Sequence, residues 1–266
     1  MIMKLKFLVG IILLSLCSVS FISCDDDSDP ISLFYGNNDN PIIDNKVSLI
    51  YPTANTTKLL IKGGDNNYTC TVSDETKIRV RQEDNALEIS PLGIGEVVIT
   101  IKDADGNSYI LNVTIAYLEQ KFSVIKHDVT VIGEELIEDE IKAIKEQALA
   151  TIPVSVDGGY RFVYTDNEES KGIVYLYPKV YGGEYKEGVF ERYRKAIGNN
   201  NESLTIYKIS IDGETREYIF MPYQNSNLRS DMIMPLQFAE DLLELFIDKY
   251  PVVQVYTSQV LTPLSK

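Results

Sequence analysis

The chain has 266 residues, 39 acidic against 25 basic side chains, a formal net charge of −14 and no tryptophan. That balance argues against a nucleic-acid partner, because such affinity comes from lysine and arginine neutralising backbone phosphates. With one histidine, three cysteines and no G-x-S-x-G, C-x-x-C, H-E-x-x-H or glycine-rich phosphate loop, neither a cofactor nor a metal is expected, and a catalyst is not.

Residues 1–23 read as a secretory signal. Lys4 and Lys6 precede an apolar run from Phe7 to Leu16, and small residues follow. The run is too short and too interrupted by serine for a permanent span, which needs roughly twenty apolar residues. The tetrad Phe21-Ile22-Ser23-Cys24 resembles a bacterial lipobox. The resemblance implies diacylglyceryl transfer to the Cys24 thiol, cleavage before Cys24 and acylation of the new amine. Cysteine suits that chemistry because its thiol is a good nucleophile near neutral pH. Two or more acyl chains anchor a protein stably, whereas one holds it only marginally.

Asp25, Asp26 and Asp27 gain nothing electrostatically beside an anionic membrane. The run resembles the acidic signal that sends one class of bacterial lipoproteins to the outer face of the outer membrane. The expected location is therefore the outer membrane, lipid-anchored and facing the exterior. Removing Lys4 and Lys6 with the signal moves the net charge from −14 to −16 over the remaining 243 residues, enough for two domains. Residues 24–45 read as an acidic flexible tether, since Gly36-Asn37-Asn38-Asp39-Asn40 cannot bury enough apolar surface to order itself. Short apolar runs such as Ile31-Ser32-Leu33-Phe34-Tyr35 could still dock on the body.

Residues 46–117 alternate like strands. In Lys77-Ile78-Arg79-Val80-Arg81, Ile78 and Val80 share one face and the basic residues the other. Short strands about ten residues apart, separated by Gly, Asp and Pro, predict a β-sandwich. Val72-Ser73-Asp74, the Gly93-Ile94-Gly95 turn before an Ile/Val strand, and Asn112-Val113-Thr114-Ile115 resemble bacterial immunoglobulin-like domains. The resemblance implies a spacer or adhesion module. Asp103, Asp105 and Asn107 match the first three positions of an EF-hand loop. Gly106 stands at position four and Thr114 at position twelve, where that loop needs Gly at six and Glu at twelve, so a hairpin turn is the expectation. Cys70, in a strand-like run, reads as a small core residue.

Residues 118–266 change character. A strand is expected from Phe122 to Ile132 and an amphipathic helix from Glu134 to Thr151, with Ile137, Ile141, Ile144 and Ala148 on one face. Strands follow at 160–165, 172–177, 185–193 and 203–211, and Asp212-Gly213 turns the last into 215–221. A second helix is expected over 235–249, and a closing strand over 252–256. The expected fold is thus mainly β: an immunoglobulin-like sandwich followed by an α+β domain, an antiparallel sheet with two helices. Twelve of the 17 tyrosines follow residue 118. Tyr160 and Tyr164 share one strand face and Tyr175 and Tyr177 another, and these four are the candidate binding surface, because tyrosine offers rigid area with a polar tip. The function expected is a lipid-anchored surface protein presenting a binding module for a glycan, peptide or envelope protein. The alternative is a structural or assembly subunit of an outer-envelope complex, and a carboxylate-based hydrolase is the remaining possibility.

Overall fold

The structure is a computed structural model and describes residues 29–36, 40–197, 202–223 and 235–264. The fold is mainly β. The first eight strands make two four-stranded sheets. One has the order β1 (Ser32–Tyr35), β3 (Thr57–Lys62), β6 (Ala86–Pro91), β5 (Ile78–Glu83). The other has the order β2 (Lys46–Ile50), β8 (Ser108–Ala116), β7 (Gly95–Lys102), β4 (Thr69–Val72). Both feed one core: Leu33, Leu59, Ile61, Leu87 and Ile89 from the first, Val47, Val97, Ile99, Leu111 and Val113 from the second. Ile78 is buried while Arg79 and Arg81 are exposed, as the period-two alternation requires.

β1 shortens the expected tether. Leu33 and Ile31 are buried in this core, and Ser32–Tyr35 pair with Leu59–Lys62, so ordering that run gains both burial and backbone hydrogen bonds.

The remaining strands form a closed antiparallel barrel in sequence order: β9 (Leu118–Gly133), β10 (Gly159–Tyr164), β11 (Lys171–Tyr177), β12 (Lys186–Ile197), β13 (Glu202–Ile211), β14 (Glu214–Pro222), β15 (Leu236–Asp241) and β16 (Val252–Pro263). β16 pairs back onto β9, so among the described residues the barrel closes without an edge strand to template aggregation. The expected α+β domain is therefore corrected to a barrel. The expected second helix is β15 followed by a single turn, α2 (Leu243–Phe246). Residues 236, 238 and 240 satisfy a period of two as well as residues 238, 242, 245 and 246 satisfy a helix. Pairing on both sides, Phe238 with Phe220 and with Gln259, decides for the strand.

The first helix, α1 (Glu138–Ala150), forms inside the expected 134–151 but starts four residues later, and Ile137, expected on its apolar face, precedes it and is exposed. Glu140 accepts a hydrogen bond from the Ile137 backbone N–H at 3.2 Å, and three acidic residues occupy its first turn, favourable for the helix dipole. Ile144 and Ala148 pack with Leu242, Phe246, Val252 and Val255, so α1 and α2 sit together where β9 and β16 run on past the barrel. Both helices thus lie at one end. The chain arrives from β8 at the other end, where Leu118 pairs with Tyr164.

An eight-stranded barrel is wide enough for side chains to fill or for one small ligand. Here aromatic rings fill it. Phe162 lies 4.9 Å from Phe190, 5.1 Å from Tyr207 and 6.0 Å from Phe238, ring centre to ring centre. Outside are charges such as Glu119, Lys121, Arg161, Glu187, Glu191 and Glu217. That polarity is the reverse of a transmembrane barrel's, which is apolar outward. No helix among the described residues is long and apolar enough to cross a membrane.

Candidate functional site at the barrel mouth

At the helix end, the aromatic filling stops short and leaves an open cavity of about 410 Å³. Its walls are Leu176 of β11, Ile209 and Ile211 of β13, and Pro153 and Pro178 from the loops above. Alternation explains the set: Tyr207, Ile209 and Ile211 face inward along β13, and Arg216, Tyr218 and Phe220 face inward along β14. The hairpin between them turns at Asp212 and Gly213, with φ of 53° and 84°. Two successive residues with positive φ fit the tight turn that a right-twisted hairpin needs.

The polar groups divide into a rim and a floor. At the rim, Lys186 and Asp212 pair at 2.8 Å and Glu214 is exposed. On the inner side, Arg216 Nη1 donates to the Thr151 carbonyl at 2.9 Å and to Glu240 Oε2 at 3.2 Å. Arg216 therefore ties the C-terminal end of α1 to the barrel wall. Burial holds the Glu240 carboxyl above the usual carboxylate range, against the pull of Arg216. Deeper still, the Tyr160 hydroxyl donates to Gln259 Oε1 at 2.9 Å, and burial pushes its pKa well up, so it stays a neutral donor. Tyr218 lies between these layers, its ring 5.2 Å from Phe238.

Tyr160 and Tyr164 do not form a surface with Tyr175 and Tyr177. Tyr160 and Tyr164 are fully inside the barrel, where Tyr164 shares a 2.8 Å hydrogen bond with Tyr207 and donates to Gln120 at 2.7 Å. Register places the two pairs on opposite faces: Tyr160 opposes Leu176 and Phe162 opposes Val174, so the intervening Tyr175 and Tyr177 point outward. On the outer wall they join Tyr181 and Tyr185, with ring centres 4.7–5.9 Å apart. The Arg161 guanidinium lies 5.1 Å from the Tyr175 ring and is ion-paired with Glu119, whose carboxyl Arg161 holds below the usual range.

These four rings differ in exposure. Tyr177 is 7% exposed and Tyr185 55%. Tyr177→Ala is expected to cost about 3 kcal/mol of unfolding free energy, as truncation of a buried aromatic does. Tyr185→Ala should cost about 1 kcal/mol or less, the scale of an edge-on aromatic pair at a surface. Urea denaturation of each single variant measures both.

Cys24, Asp25, Asp26 and Asp27 lie outside the described residues. Cys70 is a free thiol whose pKa burial pushes up to about 11, which suppresses its reactivity. His127, on β9 opposite Gln259, has a buried Nε2 without a hydrogen-bond partner among the described residues. Both Asp103 carboxylate oxygens hold Asn107, at 2.7 and 2.9 Å, so that loop is a capped hairpin turn. Among the described residues, no group of three or more His, Cys, Asp or Glu side chains is placed to hold a metal ion. The sequence reading missed Arg216, Tyr218 and Glu240. Their signal was a charge on the apolar parity of a strand: Arg216 in phase with Tyr218 and Phe220, Glu240 in phase with Leu236 and Phe238.

No protein-family model and no curated protein matches the chain. Among solved structures, it is similar to an intimin mutant from EHEC O157:H7 at 14% sequence identity, over 47% of this chain and 59% of that one. The TM-score is 0.24, too low to relate the two folds.

Proposed function

We propose that this chain is a lipid-anchored protein of the outer cell surface whose barrel binds a small ligand at its helix-capped mouth, with the two-sheet N-terminal unit as an immunoglobulin-like spacer. The observation that carries this reading is the mouth cavity itself, apolar-walled and with a guanidinium at its inner side. Ligand sites are typically such clefts, mostly apolar with a few convergent polar groups. Topology supports it. The spacer joins the barrel at the end opposite the mouth, so the mouth is the end farther along the chain's path from an anchor at Cys24.

Ile211→Trp places a large side chain into the cavity from a half-buried wall position. Native mass spectrometry of the chain released from its own membranes is expected to find a bound small molecule on wild type and none on Ile211→Trp. Wild type without any bound molecule, or equal occupancy of both proteins, would contradict ligand binding at the mouth. For the anchor, labelled palmitate should enter wild type and not Cys24→Ser, and label in the variant would remove Cys24 as the attachment point.

A further inference from the structure

We infer that the mouth selects an apolar carboxylate, a compact hydrocarbon body carrying one planar anionic group, with Arg216 as the residue that recognises it. This deepens the mouth-binding reading and rests on it.

The walls and the inner side of the cavity ask for different chemistry. Leu176, Ile209, Ile211, Pro153 and Pro178 can offer only apolar contact to whatever fills the space between them. A ligand that gains from these walls therefore has a hydrocarbon body. At the rim, Lys186 and Asp212 neutralise each other at 2.8 Å, which leaves little net charge from that pair to attract an ion.

Arg216 is different. Its three hydrogen bonds, to the Thr151 carbonyl and to both Glu240 oxygens, all leave from Nη1. Its 3.4 and 3.2 Å contacts with Glu240 use one nitrogen against two oxygens, not the parallel two-on-two fork that makes arginine–carboxylate pairs strong. Beside it, the Tyr218 hydroxyl is a further polar neighbour of the guanidinium inside the cavity. A guanidinium that lines a cavity and is held in no two-on-two fork fits a carboxylate, the planar anion that accepts two parallel N–H bonds. Glu240 belongs to the design. Its contacts at 3.4 and 3.2 Å, both from Nη1, keep Arg216 in place without saturating it. The Thr151 contact fixes the guanidinium from the other side, so the recognising group is preorganised before the ligand arrives.

Three probes with one body separate the contributions: 4-phenylbutyrate, 4-phenyl-1-butanol and 4-phenylbutylamine, titrated by calorimetry into the full chain. The carboxylate should bind at least about tenfold more tightly than the alcohol, and the amine most weakly, a tenfold ratio being about 1.4 kcal/mol. Arg216→Met should lose the carboxylate preference and keep the alcohol's affinity. Glu240→Gln, which removes the competing carboxylate and keeps the shape, should bind 4-phenylbutyrate more tightly than wild type. This second variant tests the idea even if Arg216→Met does not fold. Equal binding of acid and alcohol to wild type, or a preference that survives Arg216→Met, would overturn the ligand class while leaving the mouth as a binding site. If none of the probes binds wild type, or if Ile211→Trp binds all three unchanged, the mouth reading falls with it.

Discussion

Phe162→Ala should destabilise the barrel by about 3–5 kcal/mol, the range for deleting a fully buried aromatic ring. Phe162 has no solvent exposure and sits at the centre of the filling. Its ring contacts those of Phe122, Tyr160, Phe190, Tyr207 and Phe238 at 4.9–6.2 Å between centres. Those neighbours come from four other strands of the barrel, β9, β12, β13 and β15, and from β10 itself through Tyr160. They cannot collapse into the hole together without moving the wall. The loss adds the transfer free energy of the ring to the cost of the cavity left behind. The check is a urea melt, with the change read from the midpoint at constant slope. A loss below 1 kcal/mol would mean that the interior is not packed around this ring.

Gly172→Val should be at least as damaging, for a different reason. A Cβ at residue 172 would stand 1.9 Å from the Val163 carbonyl oxygen and 3.0 Å from the Phe190 ring. The first obstacle is backbone, so no rotamer change relieves it. Gly159 and Gly188 meet neighbouring carbonyls in the same way, at 2.0 and 2.3 Å from Phe122 and Ser210. Three glycines on three consecutive strands let backbones approach where the sheet curls toward closure, the role glycine serves at tight bends in barrels. Overpacking commonly costs about 1–3 kcal/mol, and a clash with fixed backbone belongs at or above the top of that range. Gly93→Ala is the control. Its nearest atoms would be 3.9 and 4.0 Å away, so a change of about 0.5 kcal/mol or less is expected. Equal melting of the Gly172→Val variant and wild type would contradict the closed geometry at that seam.

Much of the local structure was legible because it is written in short-range alternation. Lys77–Arg81, the Asp212-Gly213 hairpin and α1 all follow from residues within one or two turns of each other. Closure was not legible. It depends on β9 meeting β16, which joins Phe122 to Pro263 and Gly133 to Val252 across more than half the barrel's sequence. No local pattern encodes that pairing. Without it, the period-two and helical readings of 236–246 are equally good, and the inner and outer faces of β10 and β11 cannot be told apart. The tyrosine reading failed at that point. Parity had already separated Tyr160 and Tyr164 from Tyr175 and Tyr177 within their own strands, but only the register of β10 against β11 turns the two pairs to opposite sides of one wall. The same step reveals Arg216 and Glu240, since a charged residue becomes conspicuous only once its strand face is known to be the inside.

The proposed binding site is the mouth and not the outer wall. Two tyrosines separate these outcomes, because Tyr218 lines the cavity and Tyr185 stands 55% exposed outside it. Ring-labelled tyrosine spectra of the full chain, titrated with 4-phenylbutyrate, should shift and broaden the Tyr218 signals while those of Tyr175 and Tyr185 stay in place. Movement of the Tyr175 and Tyr185 signals with Tyr218 unchanged would put the binding surface on the outer wall and contradict the account.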